Sequence, residues 1–382
     1  MAHAPTATLS RRRGTIATEL ARQNLDALVV TALPNILYLT NFTGSAAILV
    51  VDAERLQFLT DFRYVTAISE MRDQPYECPG LELVTFEGPY DAALAAVLGT
   101  RSGRVGFEAA HLTVSRYQWL TTTLERAPAR PALVATEGIV ERARVRKDAH
   151  ELAALREGAR RLSEVARGAF SEIRAGRTER EIAQAIDGRI LAAGFSRPAF
   201  DTIVASGPNA ALPHAHPGER KLTESDLVVL DFGGVYDSYC VDLTRTVAVG
   251  RAAPRARDVY AAVRDAHDRA IAAVRPGQSR FAIDAAARDT LGRYGLAEAF
   301  GHGTGHGLGI EVHEEPRITR PTPAGSPVID TREDAVSEGM VFTIEPGAYL
   351  SGWGGVRIED DVLVTRDGVE VLTDVTTELL EL

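Results

Sequence analysis

Four acidic residues in this chain close apolar runs. Asp231 ends the run in "DLVVLDF", Asp242 follows "CV" in "CVDLTRT", Glu345 ends "MVFTI" and Glu359 follows "GVRI". A carboxylate in such a place costs several kcal/mol unless something pairs with it. For any single acid, a turn position or an ion pair with Arg245 is explanation enough. Four acids placed alike do not reduce to four independent turns. Packed together, four carboxylates cannot all ionise without cations. Two divalent ions balance their charge, and a neutral imidazole with a bridging hydroxide completes the shell. Oxygen-rich ligation with one nitrogen suits Mn2+, Co2+, Fe2+ or Zn2+.

An imidazole source lies in "GHGTGHGLGIEVHE" (301–314), which holds three of the nine histidines. Glycine occupies every odd position from 301 to 309. If this stretch is extended, His302, Thr304, His306 and Leu308 share one face, and the glycine face admits close backbone or substrate. A helical HxxxH zinc pair at 302 and 306 is the alternative, and the glycines argue against that helix.

The elements that position these groups form two sets. Ser10 to Asn24 reads as a helix capped by Ser10. "LDALVV" (25–30), "SAAILVV" (45–51), "LQFLTD" (56–61) and "GRVGFE" (103–108) read as strands, with a helix from about Arg63. That mixture implies an α/β layer structure. The composition breaks at "ERAPARPALVATEG" (125–138). Asp148 and Glu151 then form a capping-box pattern ahead of Leu152, Leu155, Ala159, Leu162 and Val165 at helical spacing. The domain boundary is placed between 138 and 139. Within the second domain, "LTESDLVVLDFGG" (222–234) lines up with "VSEGMVFTIEPGA" (336–348), so two related halves each present two carboxylates. Period two also puts Cys240, Asp242, Thr244 and Thr246 on one strand face.

Composition narrows the partners. The chain has 382 residues, 45% of them apolar and 25% charged, with a formal net charge of −10. No basic run offsets that charge, which disfavours nucleic acid and anionic membranes. Two cysteines, Cys78 and Cys240, are too few for a disulfide framework. The N-terminal arginines precede no apolar core, and no apolar run reaches the roughly 18 residues of a membrane span. The expectation is a cytoplasmic protein.

The motifs "NFTGSAAILVV", "FLTDFRY", "SGPNAALPH", "LDFGG", "YCVDLTRT", "GHGTGHGLGIEVHE", "EPGAY" and "GVRIEDDVLVT" occur in that order. With them the chain resembles the pita-bread metallopeptidases, in their Xaa-Pro aminopeptidase and prolidase branch. The resemblance covers nearly the whole chain. It implies an α+β fold of two domains: an N-terminal α/β domain of the creatinase-N type (1–138) and a C-terminal pseudo-symmetric pita-bread domain (139–382). It implies two divalent metals, Mn2+ foremost, with Asp231 on the first, Asp242 and Glu359 bridging, and His306 and Glu345 on the second. It also implies that Glu345 shuttles a proton, that His214 lies near the leaving nitrogen and that His313 stabilises the carbonyl oxygen. His302 and Arg357 belong with the substrate region. Thr244, two residues past Asp242 on one strand face, either orients a ligand carboxylate or is a plain β-former. His216 has no counterpart and reads as a loop residue. Val241 departs from the small polar residue frequent before the bridging aspartate. The implied reaction is hydrolysis of the bond between an N-terminal residue and a following proline, by a homodimer. Arg317 and Arg320 either grip a substrate carboxylate, as a dipeptidase needs, or lie in a solvated loop. A metal-free creatinase-like C–N hydrolase and a non-enzymatic binding module are the alternatives.

Overall fold

The computed structural model describes residues 3–322 and 334–382, so Met1 and Ala2 of the N-terminal stretch lie outside the described residues. The chain divides into two compact units, Met1–Arg144 and Val145–Leu382.

The first unit is built on a six-stranded mixed sheet. Its strands run in the order Leu81–Thr85, Leu56–Thr60, Ile48–Val51, Ala27–Val30, Arg104–Glu108, Ala132–Thr136. The Ala27–Val30 and Ile48–Val51 strands are buried along their whole length, as uninterrupted Val/Ile/Leu runs require. Two local readings need correction. The first helix spans Thr6–Arg22 and starts behind Pro5, not at Ser10. Proline has its φ fixed near the helical value and leads in naturally. The Ser10 hydroxyl instead bonds back to the Thr6 carbonyl at 3.0 Å, inside the helix. The proline-bearing stretch at 125–138 contains the edge strand Ala132–Thr136, paired in parallel with Arg104–Glu108. An edge is where a strand tolerates flanking prolines. The helix Phe62–Glu70 is capped by Asp61.

The second unit repeats one plan twice. Helices Ala149–Ala169 and Glu179–Ala192 precede the antiparallel strands Leu227–Tyr236 and Tyr239–Ala248. Helices Pro254–Ala273 and Arg280–Arg293 precede a sheet holding Gly305–Gly307, Glu314–Ile318, Val341–Ile344, Asp360–Thr365 and Gly368–Val371. The capping box of Asp148 and Glu151 is present at the start of the first of these helices. The aligned segments make matching bonds. Gly176 N–H donates to Leu222 O and Gly277 N–H to Val336 O, each at 2.8 Å. Thr178 bridges Lys221, and Ser279 bridges Ala335.

The strand Tyr239–Ala248 shows how the core carries the site. Every residue in it is buried. Val241, Leu243 and Val247 join an apolar cluster with Leu155, Leu162, Ile186 and Leu308. Each such side chain contributes about 1.5–3 kcal/mol on full burial. The alternate residues face the other half of the domain, where the segment 357–361 docks antiparallel. Arg357 N–H donates to Thr246 Oγ1, Glu359 N–H to Thr244 O and Asp242 N–H to Asp361 Oδ2, each at 3.0 Å. Asp242 and Glu359 are thereby set side by side.

Candidate active site

A cavity of about 580 Å³ opens in the second unit between the two halves. Asp231, Asp242, His306, Glu345 and Glu359 line it, and so do His214, His302, His313 and Arg357. Asp231 and Asp242 come from the first hairpin, where Asp231 registers with Thr244 and Asp242 with Gly233. Glu345 directly follows the Val341–Ile344 strand, and Glu359 lies between Gly354–Arg357 and Asp360–Thr365.

Asp242, His306 and Glu359 each offer a ligand atom within 4.8 Å of the others. Glu345 Oε1 lies 3.5 Å from His306 Nε2. Asp231 stands slightly apart, its Oδ2 bonded to Arg357 Nη2 at 2.5 Å.

The residues fit divalent cations. Burial pushes the Asp242 carboxyl well above its ordinary range, and the charges of Glu359 and Asp231 push it further. Glu359 rises well above its ordinary value by burial and by the charges of Glu345 and Asp231. Glu345 is raised to about 7, mainly by burial. Asp242 Oδ1 is buried without a hydrogen-bond partner among the described residues. A hard cation answers both the repulsion and the orphaned oxygen. His306 is held neutral: burial, then the charge of His313, lowers it to about 3. Its Nδ1 lies 3.1 Å from Gly307 O, which leaves Nε2 available to a cation.

Around the carboxylates runs a fixed set of bonds. The Thr244 hydroxyl donates to Glu359 Oε2 at 2.5 Å. Arg357 donates to Thr244 Oγ1 at 3.1 Å, to Tyr349 Oη at 2.8 Å and to Pro213 O at 3.3 Å. The last bond fixes the chain one residue before His214. Tyr349 Oη in turn lies 2.9 Å from His302 Nε2. His302 thus serves this network, and burial lowers it to about 4. His313 is exposed to the cavity, its ring centroid 4.4 Å from that of His306. Partial loss of water around the ring, and then the charge of Arg317, lower its pKa.

The histidine-glycine stretch is less regular than simple alternation. Only Gly305–Gly307 is strand. His302 and His306 face the cavity, but Thr304 turns to Asp284 at 2.8 Å and Leu308 enters the apolar core. His216 is an exposed loop residue, yet it lines the cavity. Arg317 lines it too, half-buried, with no side-chain hydrogen bond or ion pair among the described residues; Arg320 is exposed and stands outside the lining. Arg245 makes no ion pair with the carboxylates of the four cavity acids and pairs with Asp360 instead. Tyr349, Asp361, Phe200 and Ile203 escaped the sequence reading. Only Tyr349 carried a signal, as the aromatic of "EPGAY" beside Glu345.

Comparison with known proteins identifies the family. Residues 153–366 match metallopeptidase family M24, and residues 12–146 match the creatinase/prolidase N-terminal domain. The peptidase YqhT of Bacillus subtilis is 34% identical over 358 residues, covering 93% of this chain and 96% of the relative. An Xaa-Pro dipeptidase from Bacillus anthracis superposes with TM-score 0.88 at 34% identity, over 98% of this chain and 100% of that one. An X-Pro aminopeptidase from Thermotoga maritima superposes with TM-score 0.83 at 28% identity, over 95% and 100%. The chain therefore belongs to metallopeptidase family M24, with a creatinase/prolidase N-terminal domain, and is a metallo-exopeptidase.

Proposed function

We propose that the chain is a dinuclear-metal Xaa-Pro dipeptidase, releasing an N-terminal residue from a following proline. The observation that carries this is the Arg317 guanidinium, which lines the same cavity as the four acids and the imidazole and makes no side-chain hydrogen bond or ion pair among the described residues. A guanidinium that faces the cavity close to a peptidase centre suits a substrate that ends in a carboxylate. The solved relative from Bacillus anthracis, an Xaa-Pro dipeptidase, supports the same choice.

Asp231, Asp242, His306, Glu345 and Glu359 hold the two ions, Mn2+ foremost and Co2+, Zn2+ or Fe2+ as alternatives. Bound there, the ions supply hydroxide at neutral pH and polarise the scissile carbonyl. Glu345 accepts the proton of the attacking nucleophile and passes it to the departing nitrogen. His313 donates to the carbonyl oxygen as negative charge develops on it. His214 stands at the proline nitrogen. Thr244 and Arg357 keep Glu359 and Asp231 in place, and His302 steadies Arg357 through Tyr349. The Xaa-Pro bond lacks an N–H, so its slot needs apolar walls without an acceptor; Phe200, Ile203 and Val312 offer such walls. A homodimer in which a second copy closes the upstream end, and a cytoplasmic location, complete the reading. Among the described residues no helix is long and apolar enough to cross a membrane.

The test is reconstitution. Chelator-stripped protein supplied with Mn2+, Co2+ or Zn2+ is assayed on Xaa-Pro dipeptides and on longer Xaa-Pro peptides. Cleavage of dipeptides alone is expected. Cleavage of both favours an aminopeptidase. Activity that persists without metal favours the creatinase-like reading, and none under any metal favours a binding module.

A further inference from the structure

Behind the Thr244–Glu359 pair, on the side away from the cavity, lies a buried guanidinium that the reaction does not use. Arg245 has a side chain only 2% exposed. All five of its N–H groups are engaged. Nε donates to Thr376 O at 2.9 Å. Nη1 donates to Thr244 O at 2.9 Å and to Glu359 O at 2.6 Å. Nη2 donates to Asp360 Oδ1 at 2.8 Å and to Val375 O at 2.7 Å. A planar five-donor fork is the one side chain that can do this.

The choice of acceptors is informative. Two of the carbonyls belong to Thr244 and Glu359, the residues whose side chains bond each other in the cavity. Arg357 meets the same pair from the cavity side, through Thr244 Oγ1. The pair is thus clamped between two arginines. The remaining acceptors come from the C-terminal segment and from Asp360, which also takes the Thr373 hydroxyl at 2.5 Å.

We propose that Arg245 is a positioning residue that sets the Thr244–Glu359 side-chain pair from behind, tying Val375 and Thr376 to a metal-holding carboxylate. This rests on the proposed role of Glu359 as a metal ligand. Removing a group that orients a ligand typically weakens metal binding about 10–100-fold. A guanidinium that only glued strands together would lower the melting temperature and leave the metal affinity of the folded chain unchanged.

The experiment titrates Mn2+ into the chelator-stripped full chain by calorimetry, with circular dichroism and urea unfolding alongside. Arg245→Lys keeps the charge but has three donors for five acceptors. It is expected to bind Mn2+ at least about tenfold more weakly with its helical spectrum intact. Thr244→Val weakens binding too, and the double variant loses less than the product of the two single losses, because both act on one carboxylate. Should Arg245→Lys not fold, Asp360→Asn removes the charge that anchors the guanidinium and is expected to weaken binding in the same direction. Wild-type affinity in the folded variant, or single losses that simply multiply, would overturn the proposal. A wild-type chain that binds no Mn2+ overturns the ligand assignment as well, which separates the two failures.

Discussion

Arg357 and Asp231 form a buried ion pair at 2.5 Å, with side chains 4% and 13% exposed. Without metal the arginine is the counter-charge that lets Asp231 sit among three other acids. Removing one partner of such a pair leaves an uncompensated buried charge, at about 3–5 kcal/mol. Arg357→Met in the metal-free chain should therefore lose about 3 kcal/mol in urea unfolding. Saturating Mn2+ should close most of the gap, since the ion replaces the lost charge. A variant equally destabilised with and without Mn2+ would show that Arg357 acts only as packing.

Protons and metal compete for the same oxygens. In the metal-free chain the stability contributed by Glu345 is complete below its ordinary value of 4.5 and is lost as the pH rises through about 7. His306 works in the opposite sense: its contribution is complete above 6.5 and is lost as the pH falls towards about 3. At pH 6 the imidazole is therefore neutral and ready to ligate, while Glu345 still holds its proton; burial and mutual repulsion raise its neighbours Asp242 and Glu359 in the same direction. Mn2+ binding should release protons and tighten as the pH rises from about 6 to 8. Calorimetry in buffers of different ionisation enthalpy measures both. A heat independent of buffer would contradict the shared carboxylate cluster.

Much of this site was legible because four acids closed apolar runs, an arrangement burial alone would not choose. Spacing along the chain said nothing of how the halves dock. The pairing of Glu359 with Thr244 depends on the 357–361 segment lying antiparallel to 242–246, and a long-range register leaves no local mark. Thr304 broke the expected alternation because it precedes the strand, which begins at Gly305, and bonds Asp284; Leu308 broke it because the strand stops after Gly307, where a bulge against Glu314–Ile318 shifts the register. Arg245 was readable as a partner for an acid, but which acid was a matter of tertiary packing.

His313 and Asp242 should separate binding from rate. Asp242→Ala removes a ligand atom from the closest cluster and should abolish Mn2+ binding and turnover together. His313→Ala should keep Mn2+ affinity and lower kcat by about 10²–10³, as loss of an oxyanion donor does. Equal loss of metal in the two variants would remove His313 from the reaction.

Arg317 should read the far end of the substrate. Arg317→Met is expected to raise KM for an Xaa-Pro dipeptide by about tenfold or more, the worth of a hydrogen bond to a charged group. An amidated dipeptide, which has no carboxylate to grip, should be affected far less. Equal effects on both would assign Arg317 to general electrostatics.

Gly305 is where the glycine-lined edge does its work. A Cβ there would run into the Thr343 carbonyl oxygen, whereas one on Gly301 would meet nothing within 4 Å. Thr343 touches two of the proposed metal ligands: its hydroxyl accepts from His306 N–H at 3.1 Å and lies 3.3 Å from Glu345 Oε1. Pushing that strand away shifts an imidazole and a carboxylate whose nearest atoms lie 3.5 Å apart. Gly305→Ala should therefore cost about 1–3 kcal/mol by overpacking and weaken Mn2+ binding as well. Gly301→Ala should leave both unchanged. Urea unfolding and Mn2+ titration of the two variants decide it, and equal tolerance of the two alanines would mean that the glycines serve chain flexibility and not close approach.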